Sequence, residues 1–185
     1  PLLKKFGSDA LKMYELYIGP FSQMAKWNQN GIVGMHRFLT KVEKLTTLEI
    51  AEINKKNLVP INKAIKKVTE DIESFSFNTA ISTLIETYDQ ISTEGWDKHS
   101  IKVFLTLLSP FAPKTVAGVL GALNTPVDSW PNIDERYLVN DKVTIGIQIN
   151  GKIRDEIEIN IEDPETVVKG SVLKLEKIKN WIPET

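Results

Sequence analysis

Apolar residues at Ile61, Ile65, Val68, Ile72 and Phe75 recur at gaps of four and three, which lines one face of a helix. Phe77, Ile81, Leu84, Tyr88 and Ile91 repeat the pattern. The two stripes are out of phase, because Phe75 and Phe77 stand two apart. The spacing therefore predicts two helices meeting at Ser74–Thr79, with Ser76 or Asn78 capping the second through a side-chain oxygen. Burying each Ile, Leu or Phe of these stripes is worth roughly 1.5–3 kcal/mol. Two such helices need partners, so further amphipathic helices are expected.

The rest of the chain supplies them. A helix is predicted over Ala10–Tyr17, capped by Ser8 or Asp9 and ended by Gly19–Pro20. The segment 21–34 reads as a connection. From Ile32, Met35, Phe38, Leu39, Val42 and Leu45 mark another helix, with Arg37, Lys41 and Lys44 among its polar positions. The segment 46–60 is ambiguous, with room for a short helix before Pro60. Trp96, Ile101, Phe104, Leu105 and Leu108 predict a helix ending near Pro110 and Pro113, and Thr115–Leu123 predicts one more. These segments imply an antiparallel helical bundle.

After a proline-containing linker at 124–140, the period changes to two. Val143, Ile145, Ile147 and Ile149 alternate along one strand, and Ile157, Ile159 and Ile161 along a second. Asn150–Gly151 between them is a hairpin signal. A two-residue loop sets Ile149 opposite Lys152, whereas the apolar pattern asks for Ile149 opposite Ile153 and Ile145 opposite Ile157. A one-residue slip flips a whole face, so a three-residue loop or a bulge is expected between Gly151 and Asp155. Asp163-Pro164-Glu165 then starts a helix whose buried face would be Val167, Val168, Val172 and Leu175. The fold class is mainly α: an antiparallel helical bundle followed by a small α/β domain, a β-hairpin plus helix. The second unit has about 45 residues, which is marginal alone. It lacks an obvious closing strand, so a truncated unit is expected.

Composition narrows the function classes. The chain has 185 residues, no cysteine and a net charge of −1. Disulfides and thiolate chemistry are excluded, and a reducing compartment fits. No apolar run reaches membrane-span length. The opening PLLKKFGSDALKMYELYIGP does not read as a signal peptide. Residues 1–69 hold 12 Lys/Arg and 5 Asp/Glu, whereas residues 70–185 hold 11 and 19. Such asymmetry suits an anion-binding surface, although scattered solvating lysines give the same count. His36 and His99 have no second ligand at metal-site spacing, so no metal site is expected. Glu70, Asp71 and Glu73 read as a solvated helix end, and Gly31-x-x-Gly34 is not a phosphate loop. No catalytic residue is assigned. Lys63, Lys66 and Lys67 would cover the polar side of the first central helix, and Lys152 and Arg154 project near the hairpin tip. Such residues make salt-dependent phosphate contacts.

Several blocks carry a family resemblance. KFGSDALKMYELYIGP, KWNQNGIVGMHRFLTKVEKL, IKKVTEDIESFSFNTAISTLIE, LLSPFAPK, SWP and IQINGKIRDEI occur in the order found near the C-terminus of bacterial-type leucyl-tRNA synthetases. The chain resembles that family over nearly its whole length. The resemblance implies four parts. Residues 1–26 follow the class I catalytic domain, 27–123 form an anticodon-binding-type helical bundle, 124–140 link, and 141–185 form the small C-terminal domain. The parent would attach leucine to tRNA(Leu) with ATP and Mg in the cytoplasm. This stretch would be a C-terminal fragment, inactive alone, since the HIGH, KMSKS and editing motifs are absent. The family's acidic-Leu-Trp helix after Pro113 and its last strand are missing too. The implied partners are tRNA(Leu) and the catalytic domain of the same parent chain, with no membrane. The implied RNA contacts are Arg37, Lys41, Lys63, Lys66 and Lys67 on the helices, and Lys152 and Arg154 at the tRNA elbow. Trp27 would pack at a domain junction. Two other readings stay open: the same region of a valyl- or isoleucyl-tRNA synthetase, and a helical protein-interaction module.

Overall fold

The computed structural model describes residues 2–19, 28–48, 50, 52–126, 129–138, 142–149, 151–160, 164–175 and 178. The chain forms two compact units, Pro1–Leu138 and Val139–Thr185. The first is helical and the second carries a two-stranded antiparallel sheet, the mainly α class expected. The expected Ile161 strand end, the Asp163 cap and the Trp27 junction fall outside the described residues.

Helix α1 spans Leu2–Tyr17, longer than its periodicity predicts, and bends where Gly7 takes φ 82°. Its expected cap Asp9 works elsewhere. The buried Asp9 carboxylate accepts the backbone N–H of Thr115 at 2.8 Å, in the first turn of α6 (Pro113–Ala122). One helix thus satisfies an orphan donor of another. Helix α2 (Gln29–Glu43) starts earlier than Ile32, because the Asn28 side chain accepts from the Asn30 N–H at 2.9 Å. Gly31 lies where α2 meets the Tyr14 ring; a Cβ there would stand 2.1 Å from the Tyr14 ring edge. The Asn28 backbone N–H donates to the Tyr14 hydroxyl at 2.7 Å, fixing the same junction.

The ambiguous 46–60 segment resolves into short 3₁₀ turns at Lys44–Thr47 and Lys55–Asn57, followed directly by α3 (Leu58–Glu73). Pro60 lies in the first turn of α3, where its missing N–H has no intrahelical partner to lose. The phase break between the central stripes is real: α4 runs Phe77–Glu94. Its start differs from expectation in detail, since Ser76 occupies the cap position without a side-chain cap bond. The joint is instead closed from the α3 side. Phe75 adopts φ 58°, and Ser76 N–H donates back to the Asp71 carbonyl at 2.7 Å. That is the left-handed closure usually reserved for glycine.

Helix α5 (Lys98–Leu108) begins after Trp96, with Asp97 as cap. Helix α4 packs on α1, α3 and α5, while α2 packs on α1 and α6. Their core holds Met13, Ile32, Leu45, Ile61, Ile81, Leu84, Ile91, Phe104 and Phe111, all essentially inaccessible. An aromatic chain runs through it: Phe38–Tyr88 at 5.7 Å, Tyr88–Trp96 at 5.2 Å and Trp96–Phe104 at 5.3 Å between ring centroids. Edge and tilted pairings of this kind add to area burial.

The core also contains one polar knot. Asp97 is buried and accepts from the Ser100 N–H at 3.0 Å, the Ser100 hydroxyl and the Asn57 amide at 2.6 Å. Burial pushes the Asp97 carboxyl up, but the Ser100 and Asn57 donors outweigh it and hold the group below the usual aspartate value. Asn57 also donates to the Gly95 carbonyl at 2.9 Å, joining the entry of α3 to the entry of α5.

Segment 129–138, expected as linker, lies against α3. The Trp130 indole N–H donates to Thr69 Oγ1 at 2.9 Å, and the Asp134 N–H donates to Asn62 Oδ1 at 2.8 Å.

In the second unit, β1 (Lys142–Ile149) pairs with β2 (Lys152–Asn160). Ile149 lies opposite Lys152 and Gln148 opposite Ile153, then the register shifts so that Ile147 meets Asp155 and Ile145 meets Ile157. The extra residue is Arg154, a bulge, which is one of the two repairs the conflicting pattern allowed. The expected Ile149–Ile153 pairing is not made; Ile153 takes the other face and is 63% exposed. Helix α7 (Glu165–Leu173) has no buried residue among those described. Val167 is exposed, and Val168, Val172 and Leu175 are only half-buried, so the predicted buried face is not formed.

Candidate nucleic-acid interface

Helix α3 sorts its residues by angle. Ile61, Ala64, Ile65 and Val68 are buried, while Lys63, Lys66 and Lys67 are exposed on the outward side. The lysines stand out because the opposite stripe is consumed by α4 and α5. Lys67 is engaged: its Nζ lies 2.6 Å from Asp71 Oδ1, one turn on. Asp71 itself is buried, a correction to its reading as part of a solvated helix end, and its Oδ2 has no partner. Lys67 is therefore drawn toward a carboxylate that water reaches poorly.

Arg37 and Lys41 lie on the exposed side of α2. The Lys41 ammonium pairs with Asp89 at 3.2 Å and stands 6.0 Å from the Tyr88 ring centroid. The Tyr88 hydroxyl donates to the Lys41 carbonyl at 2.9 Å, so the backbone beneath this lysine is held firmly. Other lysines are also paired at the surface, Lys56 with Glu94 and Lys98 with Glu52. Exposed pairs of this type are worth about 0–1 kcal/mol, little enough for an arriving phosphate to exchange with the acid. Arg37 and Lys41 stand on α2, and Lys63, Lys66 and Lys67 on α3, all within unit 1. Lys152 and Arg154 are exposed on the hairpin of the second unit, Arg154 at the bulge that turns it out of the regular pleat.

A cleft of about 490 Å³, which periodicity along the chain does not reveal, lies between α3, α5 and segment 129–137, wholly within unit 1. Asn62, His99, Lys102, Trp130, Asn132 and Tyr137 line it. One sequence signal was available: Asn62 is a polar residue beside the buried stripe of α3, and the structure uses it to anchor the Asp134 backbone. The acid at the cleft edge, Asp134, is clamped by Arg136 through Nε at 2.9 Å and Nη2 at 2.6 Å. Those bonds hold the Asp134 carboxyl below its usual range. His36 is exposed beside Phe6, with ring centroids 5.6 Å apart, and His99 is exposed on α5. Among the described residues, no group of three or more His, Asp or Glu could hold a metal ion, and no helix is long and apolar enough to cross a membrane.

Residues 54–169 match the family model described as the anticodon-binding domain of tRNA ligase. The leucine–tRNA ligase of Borreliella burgdorferi (strain ZS7) is 35% identical over 97% of this chain and 22% of its own length. That of Chlorobaculum tepidum is 34% identical over 98% of this chain and 24% of its own. The chain thus spans about a quarter or less of the relatives it matches. Among solved structures, the ternary complex of Agrobacterium radiobacter K84 agnB2 LeuRS with tRNA and LeuAMS superposes with a TM-score of 0.76. It covers 97% of this chain and 27% of that one at 24% identity, which establishes a shared fold. With the family model covering more than half of its residues, the chain belongs to the anticodon-binding domain family of tRNA ligases.

Proposed function

We propose that this chain is the tRNA-docking region of a leucine–tRNA ligase, a longer cytoplasmic enzyme that attaches leucine to tRNA(Leu) with ATP and Mg. In this reading ATP and the bond-making step belong to the catalytic domain of the same parent. Residues 1–26 follow that domain, 27–123 are the bundle that lies along the RNA, 124–140 link, and 141–185 reach the tRNA elbow. Arg37, Lys41, Lys63, Lys66 and Lys67 contact phosphates from the bundle, and Lys152 and Arg154 from the hairpin. These contacts position the RNA and read no base.

The observation that carries the proposal is the outward face of α3, where three lysines stand opposite a fully buried apolar stripe. Lys66 is a stronger contact than Lys67, since Lys67 is held by Asp71. The test is a titration of the chain with tRNA(Leu) at low and at physiological salt. Phosphate-driven binding weakens as salt rises, with a log–log slope of roughly 0.7–0.9 per phosphate neutralised. Changing Lys63, Lys66 and Lys67 together to Glu should lower affinity at least tenfold and flatten that slope. Unchanged affinity in the triple variant would refute the assignment.

A further inference from the structure

We infer that α1 is two rigid pieces joined by a hinge at Gly7, and that its first piece, the arm Leu2–Phe6, sets the angle at which the catalytic domain meets the helical bundle. The hinge needs only this chain; what the arm carries rests on the proposed function above. The backbone at Gly7 has φ 82° and ψ 166°, with helix on either side of it. That pair of angles is essentially reserved for glycine, because an L side chain there crowds its own backbone. No neighbour imposes the glycine, since a Cβ would meet nothing within 4 Å. The requirement is one of conformation alone. Glycine also takes ordinary helical angles, so a straight α1 is a second state open to the same chain.

The two sides of the joint are held very differently. Behind it, Ala10, Met13 and Tyr14 are buried. Two side chains also latch this part of α1 to the corner between α5 and α6: Asp9 accepts the Thr115 N–H at 2.8 Å, and the Lys12 ammonium donates to the Pro110 carbonyl at 2.7 Å. Ahead of it, Leu3, Lys4 and Lys5 are exposed. Phe6 is half-buried and meets the exposed His36 ring edge-on, with centroids 5.6 Å apart. A cavity of about 160 Å³ borders the joint, with Phe6, Gly7, Ser8, His36 and Thr40 on its walls, and leaves the Phe6 ring room to shift as the arm turns. A welded helix, a glycine-only joint and a lightly held arm beside free volume are the parts of a hinge. In the proposed reading the catalytic domain comes before this arm. A turn about Gly7 therefore changes how the bond-making site faces RNA held by the bundle. It governs transfer of leucine to tRNA and not the activation of leucine by ATP, which needs no RNA.

The experiment places spin labels at Leu3→Cys and Lys44→Cys, both exposed positions, in the full 185-residue chain, which has no cysteine of its own. Their separation is read by double electron–electron resonance. The unaltered chain should show the bent separation as its main population. Gly7→Ala should shift the ratio of bent to straight chains by at least about tenfold toward a second separation, because an L side chain disfavours positive φ and favours helix. D-alanine at position 7, introduced by ligation, should keep the bent separation, since the mirror-image residue prefers positive φ. Lys12→Ala, behind the hinge, should not move the arm. In the full-length parent, Gly7→Ala should leave leucine activation unchanged and slow tRNA charging at least about threefold, as misplacement of a reacting group does. The hinge is overturned if Gly7→Ala lowers the melting temperature but keeps the bent separation, or if Lys12→Ala moves the arm as far. Its coupling to charging is overturned if the arm shifts in Gly7→Ala while charging keeps its rate, or if activation falls equally. A full-length parent that charges no tRNA(Leu) would defeat the proposed function and the coupling with it, while the label distances still decide the hinge.

Discussion

Ile61 on α3 and Val167 on α7 hold equivalent places in their patterns, each opening an apolar stripe at helical spacing. Ile61 has no exposed surface, whereas Val167 is 50% exposed. The stripe of α3 meets α4 and α5, each with a stripe of its own. The stripe of α7 meets no comparable wall among the described residues, and the unit's sheet has two strands. Periodicity therefore specifies which face of an element is apolar; burial depends on how many other apolar faces the same unit supplies. A small unit with few faces leaves its side chains half-wet.

The largest effect that would break this comparison is in the helical unit. Phe104→Ala removes an inaccessible ring at the end of the aromatic chain and should cost about 3–5 kcal/mol by denaturant unfolding. A loss below about 1 kcal/mol would mean that the helical core is as loose as the second unit.

Next is the polar knot. Asp97→Ala leaves the Asn57 amide and the Ser100 donors without their acceptor inside the core, and should cost about 3 kcal/mol. Its pH signature has a definite sign. The folded-state value of Asp97 lies below the unfolded one, so its contribution is present above the unfolded value near pH 4 and disappears as pH falls through the folded value. Stability measured from pH 6 down to pH 2 should therefore fall less steeply in Asp97→Asn than in the unaltered chain.

A smaller effect tests close approach. Gly31→Ala drives a methyl group into the Tyr14 ring, so α1 and α2 must separate; about 1–3 kcal/mol should be lost in thermal melts. In the hairpin unit, Gly151→Ala meets no atom but must hold φ 74°, and should cost about 1 kcal/mol, seen as weakened hairpin amide protection. Smallest of all, Val167→Ala should change stability by less than about 0.5 kcal/mol. A loss near that of Phe104→Ala would show that α7 has a buried face after all.

Much of this was legible in the residues. The out-of-phase stripes at Phe75 and Phe77 required two helices, because a rigid period of 3.6 cannot skip. The clash between Asn150–Gly151 and the isoleucine alternation required a register shift, by a three-residue loop or a bulge, because a period of two admits no half step; only the pairing geometry chose the bulge and placed it at Arg154. The outward lysines of α3 followed from the same periodicity, since a residue opposite a buried stripe faces water. Other features were beyond local reading because each joins residues far apart in the chain. Asp9 caps α6 rather than its own helix, Asp71 is buried although its neighbours Glu70 and Glu73 are exposed, and Asp97 finds Asn57 across the bundle. The cleft is of this second kind, made by Trp130 and Asp134 reaching Thr69 and Asn62. Sequence determines which faces are apolar because that depends on spacing alone. Which polar groups end up buried, paired or gathered around a cavity depends on packing between distant segments, and only the tertiary structure decides it.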